Sequence, residues 1–497
     1  MKSRGNGVLL ARHHLTPDKI GAKVRTHSVA LLLAMAMMAP SASALDKPND
    51  RAAYYDATTE TTNDLRRVPM PKGFGDPKGS ILIRNARLFD GTGTAARAAA
   101  ILIEGSHIVK IADSERSLAL TKDVQVIDAG GKTVMPGLID LHTHLTQPED
   151  GEHVTAISDS ASTLIAVDKL RYFIESGITS VRDVGSHGMA PYQLKLWQYL
   201  GRIPGPRMFV AGQLIVGTGG HGTESFTFHT APQYPESQVY EANGADGFRA
   251  AVRLQFKRGA DLIKLASHFD PDEVKAAVDE AHQLGLRVTV DSETIFTDMA
   301  VAAGVDCVEH PLPRSDETVR LMAKKGTCAD VTLVAYQYIL DAGGYYFSTS
   351  RRFTLTNDAT FAMARKLKDA GVKLGVGTDL FYALYKSLPE PYIQELRNFT
   401  QLGYSPADAL VAGTRTNSQI LGMSDRLGTL EVGKLADLII VDGRPDEKLD
   451  DLRKVDTVCC VGWSSHPPIG HRCCHPNTSH LHLWSAHNYD SFPLKWL

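Results

Sequence analysis

Apolar positions recur along this chain with two different periods. Ser80 to Asp90, SILIRNARLFD, alternates apolar and polar residues, which predicts a half-buried strand. A turn follows at Gly91-Thr92-Gly93. Ala99 to Ile103, His107 to Ile111 and Val124 to Ile127 predict further strands. From Val134 onward, short apolar runs alternate with stretches of helical period, the signature of an α/β barrel. Eight strands are predicted. The first ends at His144, and the next four are Ser180–Val184, Met208–Val216, Leu262–Ala266 and Arg287–Val290. The last three are Cys307–Glu309, Asp330–Ala335 and Lys373–Val376. Helices are predicted near Ser162–Glu175, Gly247–Lys257, Asp272–Leu284, Glu317–Lys324, Ala359–Ala370, Tyr392–Leu402 and Pro406–Ala412. Asp272 and Ser405 stand where N-caps belong. No repeat of solenoid length is visible.

The stretch Val134 to Leu145, VMPGLIDLHTHL, concentrates the chemistry. An apolar strand bends at Pro136-Gly137 and ends on His142 and His144. Side chains two apart on a strand share a face, so two imidazoles converge at its end, as metal ligands do. Two polar histidines leaving a strand is the plainer alternative. Barrel enzymes carry reactive groups at the C-terminal ends of their strands. The other ends offer Lys264, Asp291, His310 and Asp379, so six candidate metal ligands share one rim. Each has a plainer reading: a snorkelling lysine, a capping histidine, an aspartate in a Gly/Thr turn. Desolvation disfavours the ammonium of any buried lysine. After the third strand, Gly217-Thr218-Gly219-Gly220-His221-Gly222 permits close backbone approach to a ligand. It lacks the Lys-Ser/Thr of a phosphate loop.

PGLIDLHTHL resembles the first-strand motif of the amidohydrolase superfamily, and the later segments resemble its prolidase-like and imidazolonepropionase-like branch. The resemblance runs from about Ile81 to about Val458. It implies an α/β fold, a (β/α)8 barrel over 134–425, with a small β-sandwich domain split between 80–133 and 426–458. It implies two divalent ions, zinc, bridged by a carbamate on Lys264. His310 in EHP resembles the sixth-strand ligand. Asp379 in GVGTD resembles the eighth-strand aspartate, which acts as general base and then general acid. His221 in GGHG resembles a substrate-loop residue, and Tyr336 a tyrosine that assists carbonyl polarisation. The chain departs from the pattern at Val288-Thr289-Val290-Asp291-Ser292-Glu293, where the family carries histidine at the position of Asp291. Either Asp291 or Glu293 could serve there. Arg182 is expected to pair with Asp183 or the barrel interior.

The implied reaction is hydrolysis of an amide bond in a dipeptide or N-acyl amino acid. Hydroxide shared by the two metals attacks the carbonyl, and Asp379 carries the proton to the leaving nitrogen. The same chemistry would serve a lactone or a cyclic amidine. A reading from a different class is an impaired, metal-poor homologue, motivated by Asp291 and by the C-terminal tail.

Composition and chain ends add context. The 497 residues suit one large and one smaller domain. A formal charge of −3 gives no sign of a nucleic-acid partner. The expected partner is a small-molecule substrate, and a homo-oligomer is expected. Lys23 and Arg25 precede an apolar run from Val29 to Ala39, then Pro40 and Ala42-Ser43-Ala44. This reads as a signal peptide over 1–44, export to a periplasm and no membrane association after cleavage, followed by an N-terminal arm over 45–79. The segment 459–497 is different, with four of the six cysteines and three of the four tryptophans. It could be a zinc module using Cys459, Cys460, Cys473, Cys474, His471 and His475. Its paired cysteines lack CxxC spacing, and a disulfide is also possible. The preferred reading is an aberrant tail from a frameshift near Val458. That would leave the GKLADLIIVD strand without a normal partner.

Overall fold

The structure, a computed structural model, describes residues 79–118, 120, 122–149, 158–223, 237–293, 295–312, 315–341, 356–460 and 474–476. The expected signal peptide, nearly all of the arm and most of the tail lie outside the described residues. No helix among the described residues is long and apolar enough to cross a membrane.

The chain is an α/β protein. Strands β1 (Ser80–Leu88), β2 (Arg97–Glu104), β3 (His107–Ala112), β4 (Gln125–Asp128) and β5 (Thr133–Pro136) open the described chain. They join β16 (Leu438–Val441), β17 (Val455–Cys459) and β18 (Cys474–Pro476) in one sheet of order β18-β17-β16-β5-β1-β2-β3, with β4 beside β1. Alternation sorts its side chains as the pleat requires. Ile83, Ile101, Ile103 and Ile440 share one apolar cluster, while Leu82, Ala100 and Leu102 join Leu118 on the opposite face. Distant segments meet here. Arg87 forks onto Asp446 at 2.7 and 2.8 Å across 359 residues of sequence.

Two parallel sheets follow. One has the order β6 (Leu138–Thr143), β7 (Ile178–Asp183), β8 (Arg207–Val210). The other is β10 (Val239–Glu241), β9 (Leu214–Val216), β11 (Leu262–Ala266), β12 (Arg287–Glu293), β13 (Cys307–Leu312), β14 (Cys328–Asp330), β15 (Leu374–Gly375). Backbone hydrogen bonds link both edge strands of the three-stranded sheet to the seven-stranded one. Leu141 N donates to Val376 O at 3.1 Å, and Asp261 N to Val210 O at 2.7 Å. The connecting helices are α1 (Asp159–Glu175), α2 (Ala190–Tyr199), α3 (Gly244–Arg258), α4 (Pro271–Gln283), α5 (Ile295–Ala303), α6 (Asp316–Lys325), α7 (Leu333–Asp341), α8 (Asn357–Asp369), α9 (Glu390–Gln401), α10 (Pro406–Val411) and α11 (Asn417–Leu421). The largest core lies between strands and helices, where Ile263, Leu265, Val288 and Val290 meet Phe248, Val252, Val274 and Val278.

Several expectations need correction. The third strand is two strands, because Gly212 turns the backbone with φ +78 between β8 and β9. The seventh strand is Cys328–Asp330, and the apolar run Leu333–Ala335 opens α7 instead. Short apolar runs fit a buried helix as well as a strand. The Glu395 carboxylate decides the matter locally, accepting from Leu333 N at 3.0 Å and Val334 N at 2.7 Å. The N-cap of α4 is Asp270, not Asp272: Asp270 and Glu273 form a reciprocal capping box. Ser405 caps α10 as expected. Helices α2, α5 and α11 are not among those expected from the sequence. The strand in GKLADLIIVD has a partner on each side, β5 and β17, and its residues are buried. Residues Cys474–Pro476 of the expected aberrant tail pair with β17, and Cys459 is disulfide-bonded. A second disulfide joins Cys307 and Cys328, directly paired residues on β13 and β14.

Pro136-Gly137 is the point where the chain leaves the first sheet and enters β6. A Cβ placed on Gly137 would overlap the Thr179 side chain, which is buried and β-branched. Gly137→Ala should therefore cost about 1–3 kcal/mol by overpacking. Urea denaturation measures this, and adding Thr179→Ala should recover part of the loss. An unchanged midpoint in the single variant would show that the junction yields freely.

Candidate metal centre

Asp379 is the point of convergence. Its Oδ1 lies 3.3 Å from His144 Nε2 and 3.6 Å from His142 Nε2, and its Oδ2 lies 3.5 Å from His310 Nε2. His142 is the penultimate residue of β6, His144 follows the strand, His310 lies in β13 and Asp379 follows β15. The far nitrogen of each ring is also held, which fixes the orientation of the inward nitrogens. His142 Nδ1 is 2.8 Å from Glu309 Oε2, His144 Nδ1 is 2.9 Å from Gly185 O, and His310 Nδ1 is 2.6 Å from Thr332 Oγ1. His142, His144 and Asp379 present ligand atoms close enough to share one ion.

The remaining candidates sit beside this group. Asp291, on β12, has its Oδ2 3.9 Å from His310 Nε2 and 3.7 Å from His221 Nε2. The side chain of Glu293 lies outside the described residues. His221 is carried by a loop pressed on the end of β11. Gly217 N donates to His268 O at 2.7 Å and His221 N to Ser267 O at 2.6 Å. Side chains at Gly217 or Gly220 would overlap those same carbonyls, so the glycines are there for close approach. Tyr336 lies on α7, its ring edge-on to His310 at 5.9 Å. Lys264 lies in the middle of β11, 1% exposed. Its neighbours Ile263 and Leu265 face the helices, so Lys264 faces the opposite way. Its Nζ is buried without a hydrogen-bond partner.

The electrostatics follow from burial and neighbours. Burial would raise the Asp379 carboxyl, but the three surrounding imidazoles outweigh it and hold Asp379 well below the usual carboxylate range. Burial pushes His142 down to about 3 despite Asp379. Burial would raise Asp291 too, but His221, His310 and Lys264 bring it below its ordinary value. Three non-glycine residues beside these strand ends have left-handed backbones: His310 (φ 49), Thr332 (φ 43) and Asp379 (φ 46). Such conformations are costly and gather at functional sites.

Beneath the rim lies a layer of charge in which Arg182 meets two acids that the sequence does not single out, Glu309 and Asp330. Arg182 donates to Glu309 Oε1 at 2.6 Å, Asp330 Oδ2 at 3.2 Å and Leu141 O at 2.6 Å. The expectation that it serves the interior holds, while Asp183 binds Ser186 and Leu145 N instead. Burial would raise Glu309, but Arg182 and Lys264 hold it well below its ordinary range. Burial and the nearby Glu309 charge raise Asp330 well above its ordinary value. Asp140 receives His142 N at 3.1 Å and Thr378 N at 2.9 Å, tying β6 to the segment after β15. Burial pushes it up to about 7, against those bonds. A carboxylate among apolar residues, in LIDLH and CVEHP, was the visible signal for Asp140 and Glu309.

With this geometry in view, comparison with known proteins is direct. The Amidohydrolase family model matches residues 133–463. The imidazolonepropionase of Symbiobacterium thermophilum is 26% identical over 398 residues, covering 74% of this chain and 87% of that protein. The crystal structure of an amidohydrolase is 31% identical with a TM-score of 0.69, covering 77% of this chain and 98% of that one. That of a Xaa-Pro dipeptidase with bound methionine in the active site is 27% identical with a TM-score of 0.68, covering 78% and 100%. The chain belongs to the amidohydrolase family. It is an enzyme of the class that hydrolyses carbon–nitrogen bonds, and these neighbours imply a TIM-barrel-type fold.

Removing Arg182 tests the buried layer. Arg182→Met would leave Glu309 buried without its cation, at a cost of about 3–5 kcal/mol. Chemical denaturation reads this directly, and Arg182→Met with Glu309→Gln should be more stable than the single variant. A loss below about 1 kcal/mol would mean that the layer tolerates an uncompensated charge.

Proposed function

We propose that this protein hydrolyses an amide bond in a dipeptide or N-acyl amino acid, using divalent metal held at the Asp379 rim. The two parallel sheets are, in this reading, two arcs of one (β/α)8 barrel, and the first sheet belongs to a small β-sandwich domain. The observation that carries it is the donor set itself. Three imidazoles and a carboxylate converge, beside a buried lysine amine with no hydrogen-bond partner. An orphaned amine in that position fits a group missing between it and the rim. The residues therefore fit a metal centre: His142, His144 and Asp379 would hold one ion, and His310 and Asp291 a second, with a carbamate on Lys264 between them. Zinc suits such nitrogen and oxygen ligands.

A divalent ion bound here would lower the pKa of a water from ~15.7 towards about 7 and polarise a carbonyl. The chain's own residues supply the rest. Asp379, kept ionised by its imidazole neighbours, takes the proton of the attacking water at a carboxylate oxygen and returns it to the leaving nitrogen. Tyr336, edge-on to His310, and His221, on its glycine-anchored loop, are placed to hold the substrate carbonyl and its flanking group. Export to a periplasm is part of this proposal, supported by the Cys307–Cys328 disulfide, since such bonds persist in oxidising compartments. A homo-oligomer is proposed as well. A second reading, hydrolysis of a cyclic amidine, is favoured by the similarity to imidazolonepropionase.

A panel of Xaa-Pro dipeptides, N-acyl amino acids, lactones and cyclic amidines, run with metal analysis, separates these readings. Turnover of the first two groups, abolished by chelator, is expected. No turnover and no bound metal would instead mark an impaired homologue. Lys264→Ala should lose most activity, partly restored by short carboxylic acids standing in for the carbamate. Full activity in that variant would remove Lys264 from the site. Asp291→His should raise metal content per chain if Asp291 weakens the second position. Unchanged content with lower turnover would make Asp291 a working ligand.

A further inference from the structure

Lys169 is a charged residue in the wrong place for an ordinary surface helix. It falls on the buried stripe of α1 with Ser162, Ala166, Leu170 and Phe173, and it is 1% exposed. Its Nζ donates to His144 O at 3.0 Å and to Gln147 O at 2.8 Å. Those carbonyls bracket the turn by which the chain leaves β6. The same ammonium lies 5.1 Å from the centroid of the Tyr385 ring, within range of a cation–π attraction. Tyr385 Oη donates its one proton to Glu149 at 2.6 Å, with Asp168 3.2 Å away, and Lys386 Nζ donates to Glu149 at 2.6 Å. Tyr385 and Lys386 belong to the short 3-10 turn Tyr382–Ser387, just beyond Asp379.

One buried amino group therefore joins the segment after His144 to the segment after Asp379. A filler role explains this poorly. Methionine would occupy the space without the cost of desolvating a charge, and would leave both carbonyls without this donor. We infer that Lys169 is a positioning residue that fixes the loop after β6 and so holds His144 against Asp379. This rests on the metal reading given above.

The test uses the full chain with Co²⁺ as the probe. Lys169→Met removes the charge at similar length, and Lys169→Arg keeps a cation. Outer partners of metal ligands typically govern affinity by about 10–100-fold. Lys169→Met should weaken Co²⁺ binding by that order in competition with a chromophoric chelator. It should also change the visible spectrum of the bound cobalt and speed amide exchange over residues 144–149 in the metal-free protein. Lys169→Arg should restore much of the affinity. Unaltered affinity, spectrum and exchange in Lys169→Met would overturn the role while leaving the metal reading intact. A wild-type chain that binds no Co²⁺ would defeat the metal reading instead, and exchange alone would then judge Lys169. If Lys169→Met does not fold, Lys169→Gln, neutral and too short to reach both carbonyls, takes its place, and unaltered affinity, spectrum and exchange in that variant overturn the inference.

Discussion

Arg182 is 3% exposed and reaches Leu141 on β6, Glu309 on β13 and Asp330 on β14 from its own place on β7. A cation sealed among strands has no water to fall back on, so its partners must be in register when the strands assemble. The Glu309 carboxylate is shared: one oxygen takes Arg182, the other takes His142 Nδ1. The orientation of the first rim histidine is thus set by a charge placed one layer down. The Cys307–Cys328 bond links β13 and β14 two residues before Glu309 and Asp330, which limits how far these two carboxylates can part.

Above that layer, the rim trades backbone comfort for direction. Extended residues point side chains alternately to the two faces. To aim inward at one point from successive strand ends, His310 and Asp379 adopt left-handed backbones, as does Thr332, which holds the His310 ring. Single residues of this kind persist only where their surroundings overdetermine them. Here the surroundings are short bonds to neighbouring strand ends, among them Asp379 N to His142 O at 2.9 Å. Pre-set geometry of this sort suits a site that must bind an ion without rearranging.

Most of the strands, and the rim residues themselves, were legible in the sequence because polar groups at the ends of apolar runs stand out. His142, His144, His310 and Asp379 could be read this way, and the structure brings them together. Glu309 and Asp140 were harder, since each is one acid inside a motif already noticed for its histidines. Asp330 gave no signal, because its role depends on a cation from another strand. The seventh strand was misplaced because an apolar run fits helix or strand until its capping partner, Glu395, is known. One consequence expected of the C-terminal segment, a GKLADLIIVD strand without a partner, fails for a related reason. Composition shows an abrupt change at Cys459, but pairing is a property of the partner strand, and β17 accepts Cys474–Pro476 on one side while β16 takes the other.

The first sheet interleaves the two ends of the described chain. β5 and β16 are neighbours, and Arg87 is clasped by Asp446. During synthesis, β1 to β5 emerge hundreds of residues before the strand that covers the β5 edge. Until then β5 presents an open, apolar border of the kind that invites mispairing. The parallel strands in between must form, or be kept from forming, while that border waits. The geometry therefore makes the last-made strands a seal: their arrival ends the nascent chain's exposure and commits the first-made half of the sheet to its place.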